Sequence, residues 1–304
     1  MPSKPHMAFY PVACLLFSAT LWGVFWYPLR VLEEHGLPGL WSTLVIYGAA
    51  LAVTLPMLWI YRRAFHQPHL LFYLALASGW TNVAFILAII EGNVVRILLL
   101  FYLSPIWTVL LGRLFLGETL TLLARITLGL AMLGALVMLW DPSTGLPWPR
   151  DHADWLAISS GLAFAVANVV VRKTQEVSVW VKALVGWWGV IVVAGLFIVL
   201  LGLPLPRVEP NIIGAAAGIG AIGIVAMTLA VIYGVTHMPV HRSATILLFE
   251  LVAGAVSAEW LTDEVVQPNE WVGGALIIIA AAIAARASVT TGPDRGRPGG
   301  EQNT

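Results

Sequence analysis

Apolar residues run through this chain in long stretches separated by brief polar interruptions, without the strict alternation of half-buried strands or the narrow stripe of a soluble amphipathic helix. Ten stretches reach the roughly 20 residues that a helix needs to cross a hydrocarbon layer about 30 Å thick. They are residues 8–30, 40–61, 69–90, 94–116, 122–140, 155–172, 180–201, 212–236, 240–261 and 271–286. Between them lie turn and charge signals such as Gly36-Leu37-Pro38-Gly39, Arg62-Arg63, Glu91-Gly92-Asn93, Gly117-Glu118, Asp141-Pro142 and Met238-Pro239. Connections this short make successive spans antiparallel and leave no room for a soluble domain. The backbone in lipid must satisfy its own hydrogen bonds, so the expected fold class is an all-α membrane protein. The first stretch is long, carries Trp22, Trp26 and Pro28, and has no small-residue cleavage site, so it reads as a span and not a signal peptide.

Composition supports this pattern. Hydrophobic residues make up 59% of the chain and charged residues 11%, against about 25% charged in soluble domains. Sixteen Lys and Arg against sixteen Asp and Glu leave no net charge, which removes the electrostatic footprint of a nucleic-acid binder. A single cysteine, Cys14, excludes an intrachain disulfide and a thiolate metal cluster. Trp outnumbers Phe and Tyr (14, 11 and 7), which suits bilayer interfaces, and Trp41, Trp59, Trp140, Trp155, Trp180, Trp260 and Trp271 at span ends are assigned to that belt.

With the N-terminus inside, twelve basic residues fall on the cytoplasmic side (Lys4, Arg62, Arg63, Arg113, Arg125, Arg172, Lys173, Lys182, Arg242, Arg286, Arg295 and Arg297) against Arg30, Arg96, Arg150 and Arg207 outside. This excess predicts that both termini are cytoplasmic. The chain also lies over itself at an offset of 142 to 145 residues: Ala19 to Gly23 over Gly161 to Ala165, and Leu114 to Glu118 with Gly129 over Glu259 to Asp263 with Gly274. Five spans per half is an odd number, so the halves cross the bilayer in opposite senses, the arrangement of inverted-repeat transporters with a midplane site. The expected organisation is a first five-helix repeat at 1–140, a second at 141–288 and a disordered cytoplasmic tail at 289–304.

On the ten spans, the Trp22-Gly23 pair, and the block from Ser104-Pro105 to Gly117-Glu118 with its following Gly129, the sequence resembles the drug/metabolite transporter superfamily, EamA-type, over residues 8 to 287. Within it the chain is most similar to YddG-type exporters of aromatic amino acids. The resemblance implies a multi-pass protein of the bacterial inner (plasma) membrane, with helices around a central cavity and export of small amphiphilic metabolites by alternating access. Its partners would be small-molecule substrates, amino acids or related metabolites, and membrane lipids, with no nucleic acid and no cofactor. In the second half Glu250 stands where Pro105 does in the first, and Asp263 where Glu118 does.

Candidate site residues are those whose chemistry is costly at mid-depth. Glu250 lies near residue 10 of its 22-residue stretch, and its face carries Ser243, Gly254 and Ser257. A carboxylate there costs several kcal/mol, so it faces a cavity or binds a partner. It reads either as a cavity group for a substrate ammonium or coupling proton, or as a hydrogen-bonded packing residue. Trp22, Trp26 and Arg30 recur at i, i+4 and i+8 on the first span, while Ser78, Asn82 and Tyr102 come to similar depth on the third and fourth. In the second half Phe164 matches Trp22, and Asn168 follows one turn later. Polar-tipped residues at one level on several helices suggest a cavity wall lined by the first, third, fourth, sixth and ninth spans, with interhelical hydrogen bonding as the alternative. The substrate-binding set is thus Trp22, Trp26, Ser78, Asn82, Tyr102, Phe164, Asn168 and Glu250.

Arg96, at the outer start of the fourth span, reads as a snorkelling side chain or a carboxylate clamp. Tyr233 and His237, at the end of the eighth span, are gate or interface candidates. The run Gly218-Ile219-Gly220-Ala221-Ile222-Gly223 matches a dinucleotide-binding pattern in letters only, since no strand precedes it. Gly214 and Gly218 read instead as a close-packing face. The seven His residues lie in loops and at span ends, without metal-ligand pairing. An integral membrane enzyme acting on lipid-linked substrates is the other functional class considered, but no His, Asp or Glu cluster gathers on one helix face.

Overall fold

The computed structural model describes residues 6–61, 66–140, 148–263 and 265–290. These residues form fourteen α-helices and one π-helical turn, with no strand among them. The helices are α1 (His6–Val24), α2 (Trp26–Glu34), α3 (Gly39–Ile60), α4 (Pro68–Glu91), α5 (Val94–Phe101), α6 (Ser104–Leu116), α7 (Leu122–Leu139) and α8 (His152–Lys173). They continue with α9 (Val179–Leu200), α10 (Pro210–Gly218), α11 (Val225–His237), α12 (Val240–Leu247), α13 (Phe249–Leu261) and α14 (Pro268–Thr290). Together they make ten helical units long and apolar enough to cross a bilayer: α1–α2, α3, α4, α5–α6, α7, α8, α9, α10–α11, α12–α13 and α14. The last helix continues through Thr290, so the expectation of a disordered tail fails at its first two positions. The remainder of that tail, like Arg62-Arg63 and Asp141-Pro142, lies outside the described residues.

Local chemistry fixes the helix boundaries. The side chains of Asn93, Thr121, Asp151 and Ser178 each accept a hydrogen bond from the backbone N–H of the first helical turn that follows. Pro68 and Pro210 open their helices where a missing N–H costs nothing. Gly117 closes α6 at φ 66°, a left-handed conformation that glycine adopts without steric penalty.

The most extensive helix contacts join one half of the chain to the other. The third span packs on the sixth and seventh, the second on the seventh and eighth, the fifth on the tenth, the first on the eighth and ninth, and the fourth on the sixth. Exchanging each span for its counterpart five places on returns the same set of neighbours, so the helix packing obeys a pseudo-two-fold relation. Small residues permit the closest approaches. A methyl group at Gly189 would overlap the carbonyl oxygen of Ala75, and one at Gly79 would stand 2.5 Å from that of Gly189. Gly214 and Gly218, expected to form a packing face, have open space where a side chain would stand; Gly220, inside the π-helical turn Ile219–Ile224, is instead the residue that meets the backbone of Ile46.

Besides the eighth span with its π-helical turn, three spans are interrupted at mid-depth. The first breaks at Phe25, whose N–H bonds the Trp22 carbonyl at 3.1 Å in a tighter turn. The fourth breaks at Tyr102-Leu103, just before Pro105, which cannot supply a helical N–H. The ninth breaks at Leu248, at the position equivalent to Leu103, with Glu250 in place of the proline. A proline therefore explains only the first-half copy of this interruption. In the second half, α13 packs on the first span so closely that a methyl group at Gly23 would lie 2.5 Å from the Glu250 carbonyl oxygen.

Candidate functional site

A cavity of about 240 Å³ opens where the interrupted helices meet. Trp22, Ser78, Asn82, Tyr102, Phe164, Asn168 and Glu250 all line it. Trp26 does not: the break at Phe25 ends the helical register that would have placed it under Trp22, and its indole N–H donates to Ser257 Oγ at 3.0 Å. That bond ties the first span to the ninth, and the Ser257 hydroxyl in turn bonds the Gly254 carbonyl at 2.8 Å.

More spans reach the cavity than the expected first, third, fourth, sixth and ninth. Tyr47 of the second span, Lys182 and Trp187 of the seventh, and Thr228 of the eighth also line it. The walls are mainly aromatic: Phe101 packs against Phe85 and Phe164 with ring centroids 4.9 and 5.8 Å apart. Trp187, 1% exposed, donates its indole N–H to Thr228 Oγ1 at 3.1 Å. Asn168 donates to its own helix, at the Phe164 carbonyl 3.0 Å away, which leaves its amide oxygen free of that bond. The Tyr102 side chain, held at the break in the fourth span, faces the Glu250 carboxyl, just past the break in the ninth, across the cavity wall that both line. Equivalent interruptions thus bring a phenol and a carboxyl together from opposite halves.

Both ends of the bundle are tied by ion pairs to the sixth span, from the fourth span at one end and from the loop that follows it at the other. At the face away from the chain termini, Arg96 of the fourth span meets Asp154 of the sixth, with Nε 2.9 and 2.8 Å from the two carboxylate oxygens and Nη2 2.8 Å from Oδ2. Their side chains are 7% and 1% exposed, and Arg96 also donates to the Trp148 carbonyl. Arg96 therefore neither snorkels nor waits for a solute carboxylate. At the terminus-bearing face, Glu118 lies 3.4 Å from Arg172 Nε and 3.5 Å from His241 Nδ1, and accepts from the Val240 N–H at 2.9 Å. Arg172 also donates to the Thr236 carbonyl at 2.6 Å. Lys182, with no exposed surface, donates to the Val171 carbonyl at 3.0 Å and Thr236 Oγ1 at 2.9 Å.

Tyr233 stacks on His237 at a centroid distance of 4.1 Å at that same face. Trp59, Trp155, Trp260 and Trp271 are mostly exposed, at 70%, 59%, 82% and 58%, as belt residues would be. Trp41 departs from the belt assignment: it packs against two core clusters, with a buried indole N–H that has no partner among the described residues. No group of three or more His, Cys, Asp or Glu among the described residues could hold a metal ion.

A profile of the EamA-like transporter family matches residues 10–140 and 152–286, one match to each half of the chain. A crystal structure of another protein superposes with a TM-score of 0.73 over 91% of this chain and 98% of its own, at 16% identity, a likeness of fold alone. No curated protein matches the sequence significantly.

Proposed function

The chain belongs to the EamA-like transporter family, and we propose that this membrane transporter of small solutes exports aromatic or large neutral amino acids, in the manner of YddG-type exporters. Export would proceed by alternating access through the central cavity, across a bacterial inner membrane, with both termini in the cytoplasm. The observation that carries this reading is the pairing of aromatic walls with one carboxyl. Trp22, Phe101, Phe164 and Trp187 present surface that accepts an apolar side chain at little desolvation cost. Glu250 and Tyr102, with the amides of Asn82 and Asn168, offer hydrogen-bonding groups to a charged amine and its neighbouring polar atoms.

In the cycle, Glu250 receives the substrate ammonium and Tyr102 faces its carboxyl across the junction of the two halves. The interrupted fourth and ninth spans supply the flexure. A helix broken at mid-depth bends there without losing an unbroken ladder of backbone bonds, so each outer segment can tilt about the cavity. Opening either end would require parting its ion pair, Glu118–Arg172 at one end and Arg96–Asp154 at the other.

Counterflow in proteoliposomes loaded with a panel of amino acids tests the reading. Phenylalanine, tryptophan or leucine should exchange faster than alanine, glycine or glutamate. Flux of no amino acid above that of empty liposomes, from protein that runs as a single folded species, would overturn it.

A further inference from the structure

We propose that Lys182 forms a second station in the cavity, a carboxylate-binding site at its cytoplasmic floor, distinct from the Glu250 station; this rests on the transport reading above. Lys182 is buried completely yet lines the cavity. An ammonium has three donors, and two of them reach neutral acceptors, the Val171 carbonyl and the Thr236 hydroxyl. No carboxylate lies within ion-pair distance of Lys182 among the described residues, and the charged group that faces it, Arg172, has the same sign. Arg172 is in turn paired with Glu118, the one carboxylate within ion-pair distance of it among the described residues, which His241 and the Val240 N–H also contact. Positive charge thus exceeds negative at this end of the cavity, and a buried cation without a counter-ion is stabilised by an anion that the solute brings.

The two stations stand at different depths. The acceptors that hold the Lys182 ammonium are Val171, two residues before the end of α8, and Thr236, one before the end of α11. Glu250 follows the start of α12 by ten residues. At 1.5 Å rise per residue the separation is on the order of 10 Å. The ammonium and carboxylate of an α-amino acid share one carbon atom, so one molecule engages the stations in turn and not together. A solute entering from the cytoplasm would meet Lys182 first by its carboxylate, in competition with Thr236, and pass its amine on to Glu250. A carboxylate without an amine should therefore bind at Lys182 by itself.

Intrinsic tryptophan fluorescence reports on binding, since Trp22 and Trp187 line the cavity. The purified protein would be titrated with L-phenylalanine, 3-phenylpropionate and phenethylamine, in the native form and as Lys182→Met, which keeps the buried stem and removes the charge. Both carboxylates should bind the native protein, and the variant should weaken them by about tenfold or more, the scale of a lost charged hydrogen bond, with phenethylamine unchanged. Equal weakening of all three, unchanged carboxylate binding, or a native protein that binds the amine and neither carboxylate would each overturn the proposal. If the variant does not fold, the native protein decides by comparing L-phenylalanine with L-phenylalaninamide: tighter binding of the acid supports the station and equal binding removes it. Lysine-dependent carboxylate binding without aromatic amino-acid flux would refute the substrate assignment and keep the station. Flux untouched by Lys182→Met would do the reverse.

Discussion

Glu250 was the most conspicuous residue of the sequence, and its surroundings define two opposite expectations for one substitution. The amide in Glu250→Gln is nearly isosteric, so expression and thermal unfolding should remain close to native. Counterflow of phenylalanine should fall at least about tenfold, because an ammonium loses a charged partner worth about 1.5–3 kcal/mol. Unaltered flux would assign the carboxyl to packing. Asp154 leads to the contrary pattern. Its removal in Asp154→Ala takes the carboxylate from the Arg96 guanidinium, whose side chain is 7% exposed, and should cost about 3–5 kcal/mol of stability, read as a lowered unfolding temperature. Replacing both partners, Arg96→Met with Asp154→Leu, should recover most of that loss. Residues such as Ser78, Asn82 and Tyr102 could be placed near one cavity from sequence because a polar tip at mid-depth in a span has few places to go. Lys182 escaped notice because a lysine three residues inside a span counts equally well as an interfacial charge. Trp187 escaped because its neighbour Trp188 is 57% exposed, and adjacent indoles give no sign of which one faces inward.

At the scale of elements, spans were legible and their interruptions were not. Residues 94–116 and 240–261 read as single stretches of apolar sequence, and each is two helices. A proline marks the first break, but the second has no such mark; beside it α13 lies close against Gly23, a relation between segments more than 200 residues apart that local pattern does not carry. The same break logic displaced Trp26, whose position was inferred from a continuous 3.6-residue period that stops at Phe25. Close approach of whole elements should also be the most sensitive point to added volume. At Gly189, where a methyl group would collide with the Ala75 carbonyl, Gly189→Ala forces α4 and α9 apart. Backbone atoms cannot move aside as side chains do, so a loss of about 1–3 kcal/mol is expected, against almost none for Gly195→Ala, which has open space around it. Thermal unfolding of the two variants in the same detergent checks the difference.

For the whole molecule, the proposed orientation has a direct chemical test. In a Cys14→Ser background, a cysteine at Gln175 should react with an impermeant maleimide only after spheroplasts are opened, and one at Glu209 should react in intact spheroplasts, since both positions are exposed in loops at opposite faces. The reverse pattern would invert the topology and move Lys182 to the outer face.

The inter-half contacts described above also bear on how this chain comes into being. Synthesis at about 5–20 residues per second releases the third span several seconds before the seventh exists. During that interval Gly79 and Ala75 face lipid in place of Gly189, and no rearrangement inside the first half can supply the missing partner, because the principal neighbours of its second and third helices are encoded in the other half. Each half therefore waits on its twin, and a nascent chain halted after residue 140 should be handed to membrane proteases, while the two halves translated from separate messages in one cell should find one another and regain stability together.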